Sequence, residues 1–563
     1  MSSIPCANWQ AHRSETCSGV GQLACGGCRL VSYCAKDCQK EHWAEHKVHC
    51  KSPLMKSSWL PTWETEGRPP SFVGAGPPAV SYGRLQKYFW GNMPALDVLA
   101  LDRNEGCSYD RDLHVLFAAS GDIRNVLKTV ACLPDEYRQS ISLILNDRDF
   151  DIVARNLIML LAALQIDKDP NDIETIIHVW YSAKLQSSRL RQLQSSILPL
   201  FQEVCVKIKS KPNGTLLGKT WTFGSRSLRV TLSKEKWMLL PSFLEVPNGL
   251  SCSLADKIRN LTTLAHERKD YRDRNTLLQK PPHRVCKQRF REDGILLSFA
   301  QPRQGFDSPN PTFSQNKEQW LMMDSADPFD GWDLRSVLQR SYGSATNDMY
   351  GKLFNHLRDL LSSFARQAAS RKMAFELFNA DVNDLPRQLG SRQFARIGVS
   401  NISDRGYLGV GRTLYLLSPF LQKRIHNSHA TIITLFMNAV AETAHFDAPN
   451  RAEIESLALK VAKYLPATRR LRSAYDPVVI QRAAAHDLVR DNDKYFQRYM
   501  REEHFQEIGY HLGLTMERPH TIIEEWPMRL KLPPDQVGAN EEFETLLASS
   551  HSGAERYVEW KWA

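Results

Sequence analysis

Eight residues in the first fifty, Cys6, Cys17, Cys25, Cys28, Cys34, Cys38, His46 and Cys50, limit what this 563-residue chain can fold into. Their spacing is C-x10-C-x7-C-x2-C-x5-C-x3-C-x7-H-x3-C, which supplies four close pairs. Two tetrahedral zinc ions need four ligands each, so the pairs are used without remainder. Seven of the twelve cysteines precede position 51, while Cys107, Cys132, Cys205, Cys252 and Cys286 are scattered singly. A secreted disulfide framework calls for a basic start and an apolar stretch, and Met1–Gln10 has neither. The expected compartment is therefore reducing, cytoplasmic or nuclear. About fifty residues cannot bury enough apolar surface to fold alone, so metal has to supply on the order of 10 kcal/mol per ion. With every pair used, no zinc position is left for water, and both sites are expected to be structural.

The stretch Tyr33-Cys34-Ala35-Lys36-Asp37-Cys38-Gln39 through Trp43 to His46-Lys47-Val48-His49-Cys50 resembles the MYND zinc finger, with its C-x3-C-Q, Trp and H-K-x2-C. The resemblance implies interleaved ligands: Cys6, Cys17, Cys34 and Cys38 on one ion, Cys25, Cys28, His46 and Cys50 on the other. It also implies that His42 and His49 face solvent. The family's first pair is usually C-x2-C, whereas ten residues separate Cys6 from Cys17 here, so His12 is kept as the alternative ligand. MYND fingers bind short proline-containing peptides of other proteins, and that is the partner the resemblance implies. Nucleic acid is not expected, because Lys36, Lys40, Lys47, Lys51 and Lys56 are mixed with Asp37, Glu41 and Glu45, which repel phosphate. The formal charge of +10, spread over the whole chain, serves solubility.

From Lys51 to Ser81 the chain is rich in proline and glycine with no apolar period, which predicts a tether between separate units. The longest apolar run, Asn156–Leu164, is far below the roughly twenty residues that span a bilayer, so no membrane partner is expected. Residues 82–166 open the body with two strand-helix units. Leu113–Ala119 leads through Ser120-Gly121-Asp122 into a helix over 123–132, and Ile141–Leu145 leads through Asn146-Asp147 into a helix over 150–164. Successive units of this kind predict a parallel sheet with helices on its faces. Residues 167–371 read as a mainly helical insertion, with helices over 173–206, a strand-like patch at 228–240, and a helix over 353–371. Strands resume at 373–378, 394–400 and 430–436 within a second part of the body, 372–563. Alternation in Tyr557–Ala563 predicts an edge strand with Trp560 and Trp562 on one face.

These elements predict an α/β fold, a Rossmann-like doubly wound sheet interrupted by a large helical insertion and preceded by the two-zinc finger. Ligands bind such sheets at the carboxyl ends of the strands. The sheet looks like that of S-adenosylmethionine-dependent methyltransferases, a resemblance that would assign cofactor-holding roles to Gly121, Asp147 and Asp381. The first loop, Ala118-Ala119-Ser120-Gly121-Asp122, has one glycine where methyltransferases have two or three, which favours a non-catalytic scaffold. Phe89-Trp90-Gly91-Asn92, Ser120–Thr129, Arg155-Asn156 and Thr175–Trp180 also look like the amino-terminal domain of axonemal dynein preassembly factors. A MYND finger precedes that domain in many uncharacterised fungal proteins, which this chain resembles in order and length. In the dynein factors the acid after the second strand is Glu, where this chain has Asp147.

SET-domain lysine methyltransferases of the MYND type need Asn-His-Ser-Cys, and the nearest string, His426-Asn427-Ser428-His429, has the wrong order. His426, His429 and His445 lack further ligands at metal spacing, and Cys252 and Cys286 have no adjacent His to activate them. Lys287, Arg289 and Arg291 alternate in a basic patch near Arg284 that suits phosphate contact and, with Phe290 among them, a half-exposed strand equally well. The expectation is an adaptor holding two structural zinc ions, with no catalytic residue assigned. The alternative is a methyltransferase whose finger recruits substrate.

Overall fold

The computed structural model describes residues 4–8, 17–73, 76–83, 85–166, 170–315, 317–445, 447, 450–466 and 469–563. Nine strands form the main sheet: β1 (Leu113–Phe117), β2 (Ile141–Asn146), β3 (Leu216–Phe223), β4 (Arg226–Ser233), β5 (Met373–Phe378), β6 (Arg396–Gly398), β7 (Thr431–Phe436), β8 (Leu514–Met516) and β9 (Arg556–Trp562). Their order is β8-β9-β7-β6-β1-β2-β5-β4-β3. The six strands from β7 to β4 are mutually parallel, while β9 runs antiparallel to both its neighbours and β3 antiparallel to β4. After β1 the chain moves to β2 and β5 on one side and returns to β6 and β7 on the other, so the order reverses between β1 and β6.

Period-two alternation sorts the side chains. Leu113, Val115, Phe117, Leu143 and Leu145 enter one core cluster, and Leu116, Ile144, Ile397 and Ile432 enter the other. Both faces are thus covered, which is why the central strands read as apolar runs rather than as alternation. The Phe150–Leu164 helix is apolar except for Asp151, Arg155 and Asn156 and is buried almost throughout. Its start is fixed by Asp149, whose carboxylate accepts the Asp151 N–H.

Several expectations need correction. The 173–206 helical stretch is two helices, Pro170–Tyr181 and Ser187–Ile208, parted by a two-residue strand, Lys184–Leu185, that pairs with Ser308–Pro309. The strand patch at 228–240 is β4 followed by the Lys234–Leu239 helix, and with β3 it extends the main sheet. The basic patch belongs to the Pro281–Asp293 helix, not a strand, with Phe290 on its buried face. β9 lies inside the sheet rather than at its edge, although Trp560 and Trp562 do share a core cluster. The edge is β8, three residues that carry no readable pattern.

The described residues of the 51–81 segment are bound to the body at several points rather than hanging as a tether. Trp63 is fully buried and its Nε1–H donates to the Tyr475 carbonyl at 3.0 Å. Arg68 makes a two-pronged pair with Asp270 at 2.6 and 3.0 Å, and Asp270 also accepts the Ser71 N–H. The finger is seated too. Asn347 donates its backbone N–H to the Arg29 carbonyl and its Nδ2–H to the Cys28 carbonyl, at 3.1 and 2.8 Å. Ile4 packs with Tyr342 and Ala345, and the His49 ring meets Phe299 edge-on.

Candidate metal centre and strand-end loops

Leu23–Ala24 pairs antiparallel with Ser32–Tyr33, and the turn between them carries Cys25 and Cys28. The Arg29 N–H closes that turn on the Cys25 carbonyl, with Arg29 itself in the left-handed region at φ 53°. The Lys36–Cys50 helix follows and carries Cys38 in its first turn. His46 and Cys50, four residues apart, share one face of it. One helix therefore serves both clusters.

Cys6, Cys17, Cys34 and Cys38 converge, as do Cys25, Cys28, His46 and Cys50, with the ligand atoms of each group within 4.8 Å of one another. In the first group the Sγ separations are 3.6 Å for Cys17–Cys34, 3.5 Å for Cys34–Cys38 and 3.9 Å for Cys38–Cys17. In the second, Cys25 and Cys50 Sγ are 3.7 Å apart, and Cys28 Sγ lies 3.4 Å from His46 Nε2. A zinc–sulfur bond of about 2.3 Å gives a tetrahedron with an edge of about 3.8 Å, so these separations fit two structural zinc ions. Backbone N–H groups of Gly19, Leu30 and Cys34 point at Cys17, Cys28 and Cys6 sulfurs at 3.4 Å, which stabilises thiolate charge. His12 lies outside the described residues.

The two spare histidines do not face solvent as expected. His42 is buried, its Nδ1 lies 3.0 Å from the Tyr33 hydroxyl, and its ring stacks on His46. Burial above all, then His46 and Arg289, hold His42 near pKa 4, so it stays neutral. His49 is half-buried and is likewise held near 4 by burial, with Arg289 beside it. Spacing alone gave no sign of either, because the body supplies part of the cover. Gly19 was also unread. A Cβ there would lie 2.8 Å from Cys34 Cβ and 2.9 Å from its Sγ.

At the carboxyl ends of the parallel strands, the three candidate cofactor residues do not form one open site. Gly121 sits at φ +56° after β1. Its N–H donates to Asp147 Oδ2 at 3.0 Å, and its carbonyl accepts from Asn156 Nδ2 at 2.7 Å. Asp147 Oδ1 accepts the Asp149 N–H at 2.9 Å, and burial pushes this carboxyl above the ordinary carboxylate range. Asp381 is exposed and bends back on Asn383, whose backbone N–H, the main cause, holds it below that range. Asn146 ties the loops together by donating to the Ala118 and Ala380 carbonyls at 2.9 and 3.0 Å.

The aromatic motif of the body is internal. Gly91 N–H donates to Asp122 Oδ2, which also accepts from Trp180 Nε1, while Asp122 Oδ1 pairs with Arg124 at 2.5 Å. Arg155 lies between the Phe89 and Phe313 rings and donates to the Trp180 carbonyl at 2.8 Å. Beyond β6, the fully buried Asp404 accepts the Met437 and Asn438 N–H groups through Oδ2. Its Oδ1, Ser403 Oγ and Glu442 Oε2 have no partner among the described residues.

Among known proteins, the MYND finger family matches residues 14–50, and a domain of unknown function (DUF4470) matches residues 89–185. Tudor domain-containing protein 1 of Oryzias latipes is 43% identical over 42 residues, which is 8% of this chain and 4% of that protein. The chain thus spans a small fraction of that relative's length. No solved structure matches. The chain carries a MYND zinc finger, a type of module that generally mediates protein interaction, followed by a DUF4470 domain.

Proposed function

We propose that this protein is a zinc-dependent adaptor, in which Cys6, Cys17, Cys34 and Cys38 hold one ion and Cys25, Cys28, His46 and Cys50 the other. The finger takes proline-containing peptide segments of partner proteins. The body serves as a Rossmann-like, methyltransferase-like scaffold without catalysis. Counted along the chain and leaving out β4, the parallel strands run third, second, first, fourth, fifth, the order of a doubly wound sheet. The observation that carries the non-catalytic reading is the bond from Gly121 N–H to Asp147 Oδ2. The carboxylate that a methyltransferase would turn toward ribose is here engaged with the loop that would approach the cofactor, and its other oxygen is engaged with Asp149. The dynein-factor likeness over Tyr88–Trp180 and kinship with the fungal MYND proteins are part of this proposal. Two thiolate-rich zinc clusters and unpaired cysteines elsewhere favour a reducing compartment, cytoplasm or nucleus.

The test is a proline-peptide array probed with the zinc-loaded full chain, with Cys28→Ser and with Asp147→Ala, alongside calorimetric titration of S-adenosylmethionine. Capture lost in Cys28→Ser but kept in Asp147→Ala, with no cofactor heat, is the expected result. Micromolar cofactor binding abolished by Asp147→Ala would replace the adaptor with the methyltransferase reading. Capture unchanged by Cys28→Ser would remove the finger from partner binding.

A further inference from the structure

On the sheet face that packs Tyr557 lies a cavity of about 330 Å3. Its size falls within the range of small-molecule sites. Three pieces of chain meet around it: the strap Met93–Leu96, the start of the Leu334–Gln339 helix, and the segment 523–549. The walls are fixed by hydrogen bonds rather than by packing alone. Ala95 N–H donates to the Gly331 carbonyl and Leu96 N–H to Asn125 Oδ1, both at 2.9 Å. On the opposite wall, the N–H groups of Lys531 and Leu532 donate to Glu542 Oε2 at 3.1 and 2.9 Å. The cavity is therefore preorganised. Its depth is apolar, with Met93, Leu334, Met528 and Tyr557 all buried.

At the mouth, every lining cation but one already faces a carboxylate. Asp333 caps the Leu334–Gln339 helix by accepting the Arg335 and Ser336 N–H groups. Glu542 holds the two backbone donors and also faces Arg335 at 3.6 Å. Lys531 pairs with Glu524 at 2.8 Å. Arg529 lines the same cavity, is exposed, and has no ion pair or hydrogen bond among the described residues. An apolar pocket with a single cation left over selects a ligand with an apolar body and one anionic end. We propose that this cavity binds a small amphipathic carboxylate, with its tail over Met93, Leu334, Met528 and Tyr557 and its head on the Arg529 guanidinium.

The test is calorimetric titration of sodium decanoate into the zinc-loaded full chain, with decanol as the headless control and butyrate as the tailless one. The titrations are repeated in Arg529→Gln and in Leu546→Trp, whose indole fills the cavity. Thr545→Trp replaces the latter if circular dichroism shows that Leu546→Trp does not fold. Decanoate should bind at least tenfold more tightly than either control, Arg529→Gln should bring it down to the level of decanol, and the folded cavity-filled variant should bind neither. The proposal is overturned by absence of decanoate binding, by equal binding of decanol, or by decanoate binding that survives in a folded filled variant.

Discussion

A methyl group at position 19 has no room. It would sit within 3 Å of both Cys34 Cβ and Cys34 Sγ, and Cys34 cannot yield without leaving the first metal cluster. Gly19→Ala is therefore expected to cut bound zinc from two ions per chain to one, measured with a colorimetric chelator after thiol modification. Two ions retained would show that the cluster can shift. Buried acids make a second residue-scale prediction. Asp404 is fully buried, and burial first, with Glu442 adding to it, pushes its carboxyl up to about 7. The folded state thus prefers the protonated form, and a stability penalty absent at acid pH grows from the ordinary carboxylate value and is complete above about pH 7. Asp404→Asn keeps an acceptor for the Met437 and Asn438 N–H groups and removes the charge. Its stability relative to the parent should be higher at pH 8.5 than at pH 6, by on the order of 1 kcal/mol in urea melts. A difference that does not change with pH would place the ionisation elsewhere. Neither Gly19 nor Asp404 was read from the sequence, although the metal cluster that Gly19 packs against was. Metal geometry constrains ligands that lie within about fifty residues, whereas Asp404 acquires its role only when folding brings residue 437 beside it.

At the scale of elements, apolar runs bounded by turn residues and helical patterns located β1, β2, β5 and β7 to within a residue or two, because each is five or six residues long. They did not say which strand lies next to which. β9 was legible as a strand, but its place between β7 and β8 depends on a three-residue partner with no pattern of its own. The 228–240 patch misled because β4 passes directly into the Lys234–Leu239 helix, so two periods are joined without a break. The aromatic motif at 89–92 resembled a family signature, and its physical content is an internal clamp. A Cβ on Gly91 would lie 2.0 Å from the Arg124 guanidinium carbon. That guanidinium is tied to Asp122 and, through Nε–H, to the Met93 carbonyl at 2.9 Å. Gly91→Ala should therefore displace a buried ion pair and cost about 3 kcal/mol or more. A denaturant midpoint within a few tenths molar of the parent's would refute the clamp.

On the scale of the whole molecule, the separate units expected from the proline- and glycine-rich segment are joined by burial. Cys25, Cys28, Leu30, Val31 and Tyr33 belong to the same contiguous core as β1 and β2. Composition could not reveal this, since the partners of Trp63 and Arg68 lie about four hundred and two hundred residues further along the chain. The carbonyls of Cys28 and Arg29, from the turn that carries zinc ligands, are the acceptors for Asn347, which precedes the cap of the Met349–Ala369 helix. Metal is worth on the order of 10 kcal/mol per ion to such a finger, so zinc should fix the body's surface as well as the finger. Chelation is expected to abolish hydrogen-exchange protection over 25–33 and to weaken it over 342–348. β1 and β2, held by strand neighbours on both sides, should keep theirs. Asn347→Ala, with zinc present, should reproduce the loss over 342–348 in milder form, because it removes one hydrogen bond of about 1 kcal/mol and leaves both clusters intact. Protection over 342–348 that ignores both chelation and Asn347→Ala would mean that the finger rests on the body without holding it, and that partner binding and body stability are independent.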